Sequence, residues 1–454
     1  MEKLPDLSSL SGEAKDALIV LLWEEVQHLR QRLEELERPK KTSENSSVPP
    51  SKGFKANKQP PKGKKGGERR AASVGRTGGG RKLHLHPDET VIAQLSCCPA
   101  CAAAMPLSNQ RLQSRYERIE LPEIKPIVTR VERYQGRCDA CGTDSIAPVP
   151  GPLAPGSPFG QSIESLATYL RYGHAISYER MHQLLAEVFN LSISEGGLAN
   201  LLTRVKDRLD DPLSEILSHL RQADLICSDE TSARVHGKNE WEWVFQNPEV
   251  CFHTICATRG GSVIYAVLED HEPEVWVSDL FSAQASHPAK QWQVCLAHQL
   301  RDCQYAMDAG DSVFAPEMKA LFKRALAIHR RRAQLADSTR YQYRLDIKRQ
   351  LRRILDLAPD QADGIRLKTR YEGIHDNLFL FLEDAAIPPT NNSSEQAIRM
   401  STLFRKVTNG FRSDWGKDLF AAVRSIVNTG KRQGFSALQA IQIALSGRSL
   451  FQTG

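Results

Sequence analysis

The chain has 454 residues, a net charge of +6 and 41% hydrophobic residues, a composition that excludes collagen-like, wholly disordered and disulfide-scaffold classes. At roughly 150 residues per domain the length predicts about three domains. The apolar run from Ala17 to Trp23 is too short to span a bilayer and is followed by Glu24 and Glu25, so a soluble chain without a signal peptide or membrane partner is expected.

Ile19, Leu22, Val26, Leu29, Leu33 and Leu36 recur at spacings of three and four. This pattern predicts an amphipathic helix over 1–38, either a short coiled coil between copies or a helix docking on its own chain. Over 39–82, thirteen Lys and Arg face only Glu44 and Glu68, among Pro, Gly and Ser. Such a stretch buries too little apolar surface to order itself, so 39–86 is expected to be a linker, serving as a solvated spacer or as an arm for phosphates.

Next come Cys98-Pro99-Ala100-Cys101 and Cys138-Asp139-Ala140-Cys141-Gly142, 36 residues apart. Each pair can form a tight turn that presents two thiolates to a tetrahedral zinc, which predicts a zinc-ribbon-like module over 87–155 with Cys98, Cys101, Cys138 and Cys141 as ligands. The β-branched run Ile127 to Val131 predicts a strand within it. Cys227, Cys251, Cys256, Cys295 and Cys303 read as buried thiols.

Residues 156–220 are helical by pattern. Ser177 and Ser194 are placed to cap two helices separated by a short turn, which is either a helix-turn-helix exposing Asn200, Thr203 and Arg204 or a plain helical hairpin. From 221 the period becomes strand-like, at Leu225–Cys227, Glu240–Phe245, Val250–Ala257, Val263–Val267, Glu274–Val277 and Gln293–Leu296. A mixed sheet is implied. A long basic helical stretch follows over about 303–386, and helices continue through a tail at 431–454.

Two carboxylates lie at the ends of strand-like runs, Asp229 and Asp279, and a third, Glu395, sits between Asn391-Asn392 and a helix that soon becomes basic. Three such acids can hold two hard divalent cations, magnesium or manganese, for phosphodiester chemistry. By position alone, Asp224, Glu230, Glu269, Asp270 and Asp302 are alternatives, Asn391 and Asn392 read as helix caps, and His298 as a structural histidine or a neighbour of the site.

Asp229-Glu230-Thr231, Cys295-Leu296-Ala297-His298, Asn391 through Arg399, Arg405-Lys406, Asn409-Gly410-Phe411 and Gly416 together resemble the transposases of the insertion sequence sixty-six family. The resemblance extends over nearly the whole chain, including the leucine-rich start, the Asn45 to Ser51 linker and the Cys pairs. It implies an RNase H-like mixed-sheet core over 221–430, interrupted by a helical insertion, with a DDE triad of Asp229, Asp279 and Glu395. Leu280-Phe281 stands where the family has a Gly-Tyr type turn. The implied activity is a DNA transposase that cleaves element ends and joins 3'-hydroxyls to target DNA. Asp229 would bridge two metals, with Asp279 and Glu395 each securing one.

Arg399, Arg405 and Lys406 are the expected DNA phosphate contacts. The expected partners are terminal repeats, target DNA, further copies of the chain and accessory proteins of the element, in the cytoplasm at the nucleoid. Two other readings stay open: a non-catalytic zinc-containing DNA-binding regulator, and a structure-specific nuclease of the same fold.

Overall fold

The structure, a computed structural model, describes residues 11–42, 44–46, 82–287 and 289–451. Contacts divide the chain into one unit of Met1–Gly53 with Val128–Gly454 and a second of Phe54–Ile127. The basic stretch of 39–82 falls almost wholly outside the described residues.

In the second unit, the Cys98 N–H donates to the Ala103 carbonyl and the Ala102 N–H to the Cys98 carbonyl, with Ala102 at φ 58°. The Gln110 side chain brackets Leu95, accepting from its N–H and donating to its carbonyl.

The first unit opens with α1 (Gly12–Glu37). The helix expected there forms, and its apolar Ile19, Leu22, Val26 and Leu29 are 44% to 62% exposed. The Leu33 and Leu36 side chains lie outside the described residues. Ile127 to Val131 belongs to no strand. With both flanks exposed it has no apolar layer to pack on, and β-propensity acts only through such packing. The small sheet lies further on, where β1 (Gln135–Arg137) and β2 (Asp144–Ile146) pair antiparallel around the second Cys pair. There the Cys138 N–H donates to Thr143 and the Gly142 N–H to Cys138, with Gly142 at φ 69°. Both Cys-x-x-Cys segments thus make the same backbone turn.

Four helices follow: α2 (Gln161–Thr168), α3 (Tyr178–Phe189), α4 (Glu195–Asp207) and α5 (Asp210–Leu220). Ser177 and Ser194 cap α3 and α4, accepting from Arg180 and Gly197 N–H respectively. Met181 and Leu185 of α3, with Leu198, Leu201, Leu202 and Val205 of α4, are buried in a core shared with the sheet. Asn200, Thr203 and Arg204 are exposed, and Arg204 donates to Ser157.

The sheet is built from β3 (Leu225–Val235), β4 (Lys238–Gln246) and β5 (Cys251–Cys256), then α6 (Ser262–Leu268), β6 (Val275–Ser278), α7 (Ser282–Ala285) and β7 (Gln291–Val294). Its order is β5-β4-β3-β6-β7. β3, β4 and β5 pair antiparallel, whereas β6 and β7 run parallel to β3. The expected strand over Val263–Val267 is instead α6. Its buried residues Val263, Ile264, Val267 and Leu268 recur at a helical spacing. A parallel partner for β3 also needs a crossover segment rather than a hairpin turn. Leu296, expected at the end of the last strand, instead opens the next helix.

That helix begins the insertion: α8 (Leu296–Asp308), α9 (Phe314–Arg330), α10 (Asp337–Leu355) and α11 (Ala362–Ile374). The chain closes with α12 (Asn392–Thr408), α13 (Asp414–Arg432) and α14 (Ala437–Leu445). Because successive strand residues face opposite ways, the sheet separates two cores. Ile226, Trp243, Phe245 and Trp276 pack with α2–α5, α13 and α14. Cys227, Val275, Val277 and Val294 pack with α8–α11. Val244 and Cys251 meet Ala397 and Ile398 of α12.

After α12, Asn409 turns left-handed at φ 63° and Gly410 sits at φ 104°, where a Cβ would fall 2.5 Å from the Arg234 carbonyl. Only glycine fits there. The close approach lets Phe411 bond both sides of β3's end, donating to Arg234 and accepting from His236.

Candidate active site

Parallel pairing sets Cys227 of β3 opposite Val277 of β6. Two residues further along each strand lie Asp229 and Asp279, so both carboxylates leave neighbouring strands at one level. β6 has ended there while β3 continues with β4, opening a notch at the strand ends. Phe281 N–H donates to the Asp279 carboxylate at 2.9 Å, an Asx-type turn that fixes one of its oxygens.

Glu395 arrives on the first turn of α12, whose start is pinned across the sheet. The Asn391 amide donates to the Ser228 carbonyl at 2.6 Å, one residue before Asp229. Asn391 N–H donates to Cys295 Sγ, and Leu296 N–H to the Pro389 carbonyl. Gln246 of β4 donates to Ser393 and Ser394. The expectation that Asn391 caps α12 is corrected here: it holds the cap position without a side-chain cap bond and uses its amide to tie the helix to β3.

Asp229 lies within reach of the charges of the other two acids. Burial, then the charges of Glu230, Asp279 and Glu395, hold the Asp229 carboxyl well above its ordinary range. Arg301 lies 3.4 Å and His298 4.0 Å from a Glu395 oxygen. Burial and Arg301 push the His298 imidazole down. His298 Nδ1 and Arg301 Nε are buried without a hydrogen-bond partner. Among the described residues no three His, Cys, Asp or Glu side chains close into a ready-made metal cage. The donor set is nevertheless all carboxylate oxygen, and the repulsion at Asp229 is offset in part by the Glu230 N–H donated to its carboxylate at 3.0 Å. That chemistry suits a hard divalent cation.

The other acids weighed from the sequence are engaged elsewhere or lie away from the notch. Glu269 pairs with Arg221 and Asp302 with Arg370. Glu230 pairs with Arg259. Asp224 precedes β3 and is exposed, while Asp270 meets Tyr265.

Arg405 donates to Ser232 and Thr231 of β3 and to Thr402, so its guanidinium is held beside the site strand by neutral hydroxyls. Arg399 and Lys406 are exposed on α12. Asn391, Gln246 and Arg301 are contributors that the sequence did not disclose. A paired Asn before a helix reads as a cap, and nothing in the spacing reveals an amide reaching a strand 163 residues away.

The family model described as the IS66 family of transposases matches residues 156–418. The chain belongs to that family. The region shared by IS66 transposases holds all three acids and the whole insertion, and it begins after both Cys pairs. No curated protein matches the chain. Among solved structures, the crystal structure of the Mos1 Strand Transfer Complex is matched at 12% identity and TM-score 0.14, over 34% of this chain and 64% of that one. The match thus spans less than two thirds of the solved chain, and at that score it carries no argument about this IS66-family fold.

Proposed function

We propose that this IS66-family chain is a DNA transposase whose active site is Asp229, Asp279 and Glu395. The observation that carries the reading is that Asp229, within β3 beyond its pairing with β6, and Asp279, just past the end of β6, leave neighbouring strands at one level, with Glu395 near enough for its charge to act on Asp229. The strand order, with three antiparallel strands followed by two parallel to the first, supports an RNase H-like core.

Magnesium or manganese held by these carboxylates would activate the attacking water or 3'-hydroxyl and stabilise the departing oxygen. Asp229, on which the charges of both Asp279 and Glu395 act, is the proposed shared ligand, and Asp279 and Glu395 would each supply further carboxylate oxygen. Asn391 keeps Glu395 in reach by locking α12 to β3. Arg405, with Arg399 and Lys406 further out, is proposed to hold DNA phosphates along α12.

Cys98 with Cys101, and Cys138 with Cys141, are proposed as zinc ligands, each pair supplying two thiolates from the same backbone turn. The exposed apolar seam of α1 supports pairing with a second copy. No described helix is long and apolar enough to cross a membrane.

The test is metal-dependent cleavage and joining of a labelled element end by wild type and Glu395→Gln. The variant is expected to lose cleavage and joining together by about 10²- to 10³-fold while DNA binding persists. Cleavage without joining in wild type would favour a nuclease, and binding without cleavage would favour a regulator. Full activity of the variant would exclude Glu395.

A further inference from the structure

We propose that Arg259 is a positioning residue for this site, a strut on the reverse face of the sheet that fixes Asp279 relative to Asp229. The inference rests on the reading of Asp279 as a cation ligand. Glu230 follows Asp229 on β3 and therefore points to the opposite face. Its side chain is 1% exposed, and it acts on Asp229 only through its charge and its backbone N–H. Arg259 donates to one Glu230 oxygen through Nε at 3.0 Å and Nη2 at 2.6 Å. The Gln284 amide donates to the other at 2.7 Å.

The Arg259 guanidinium lies 4.6 Å from the Trp241 ring centroid and 3.8 Å from that of Phe281, so it is stacked between β4 and the turn after β6. Phe281 is the residue whose N–H holds the Asp279 carboxylate. A continuous chain of contacts thus runs from Glu230 through Arg259 and Phe281 to Asp279, closed on a second path by Gln284 of α7. Short parallel pairing between β3 and β6 stops at Cys227 and Val277, so Asp229 stays paired to Val244 of β4 while no ladder pair fixes Asp279 relative to it. The strut supplies the missing constraint, and it needs an aromatic ring at position 281. Only a planar guanidinium can stack on that ring and bond Glu230 at once.

The experiment is a titration of the full chain with Mn²⁺ alone, read by electron paramagnetic resonance of the free ion, alongside cleavage of a labelled DNA end at graded Mn²⁺. Four variants are compared with wild type: Asp279→Asn, Arg259→Lys, Phe281→Leu and Phe281→Tyr. Phe281→Leu leaves the Arg259–Glu230 pair in place, so the test does not depend on a variant with a stranded buried acid. Arg259→Lys and Phe281→Leu are expected to weaken Mn²⁺ binding about tenfold, the loss typical when a group supporting a ligand is removed. Their cleavage should recover toward wild type at high Mn²⁺, Phe281→Tyr should bind as wild type, and combining Arg259→Lys with Phe281→Leu should add little to either. If Asp279→Asn weakens binding while Arg259→Lys and Phe281→Leu do not, the strut is overturned and the site stands. If Asp279→Asn leaves binding unchanged, the ligand reading fails and the strut with it.

Discussion

Asp229→Asn is expected to abolish cleavage and joining, by on the order of 10⁴-fold, the scale of losing a residue that acts as part of a catalytic unit. The same change is expected to make the chelator-treated protein more stable, by about 1 kcal/mol. Asp229 is held against Glu230, Asp279 and Glu395, and asparagine removes one of the clustered charges without changing size. The pH dependence follows from the direction of the shift. An unfolded chain releases the Asp229 proton in the ordinary carboxylate range, whereas the folded chain keeps it to higher pH. Between those two values the native state binds more protons, so metal-free stability falls as pH rises. Below the ordinary range the penalty is absent, and above the raised value it is complete. Thermal melts between pH 4 and 8 with chelator should show this decline in wild type and less of it in Asp229→Asn. Addition of Mn²⁺ should raise the wild-type melting temperature and leave the variant nearly unmoved. A variant that is inactive yet less stable than wild type at neutral pH would mean that Asp229 serves the fold rather than a cation.

Glu242→Ala is expected to destabilise the chain by about 3–5 kcal/mol, a large share of the roughly 5–15 kcal/mol typical of a domain. Glu242 lies on β4, 1% exposed. It accepts from His253 Nδ1 at 3.0 Å and from Ser401 of α12 at 2.6 Å. Arg424 donates to the Asn428 oxygen, which leaves the Asn428 amide to donate to His253 Nε2 and so sets His253 Nδ1 as the proton donor to Glu242. Removal of the carboxylate strands His253 and Ser401 and takes away the negative charge that acts on the buried Arg424. Glu242→Gln keeps an acceptor and should cost less, about 1–3 kcal/mol. Urea unfolding measures both, and a Glu242→Ala cost under about 1 kcal/mol would show that water replaces the carboxylate there. The network also reaches the active site indirectly, because Ser401 and Glu395 share α12.

The three acids proposed for the site could be singled out in the sequence because each stands at a marked local position: two at the ends of short apolar runs, one beside the start of a helix. The sheet was legible where alternation was long, as in β3 and β4. It failed at Val263–Val267, where a short apolar run fits helix and strand alike and only the crossover decides. It failed again at Ile127–Val131, where branched residues found no layer to cover them. The contacts that give the site its shape lay beyond reach for another reason. Asn391 to Ser228 and Arg259 to Phe281 and Glu230 join segments far apart in the chain, and a single sequence carries no local trace of such pairings.

On the proposed reading, Asp229, Asp279 and Glu395 hold the catalytic cations. The most direct measurement is anomalous scattering from manganese in crystals of the full chain bound to a DNA end. Manganese peaks are expected within bonding distance of carboxylate oxygens from all three residues, with Asp229 touching both ions where two are present. Ordered DNA with manganese bound elsewhere, and these three carboxylates bare, would contradict that reading.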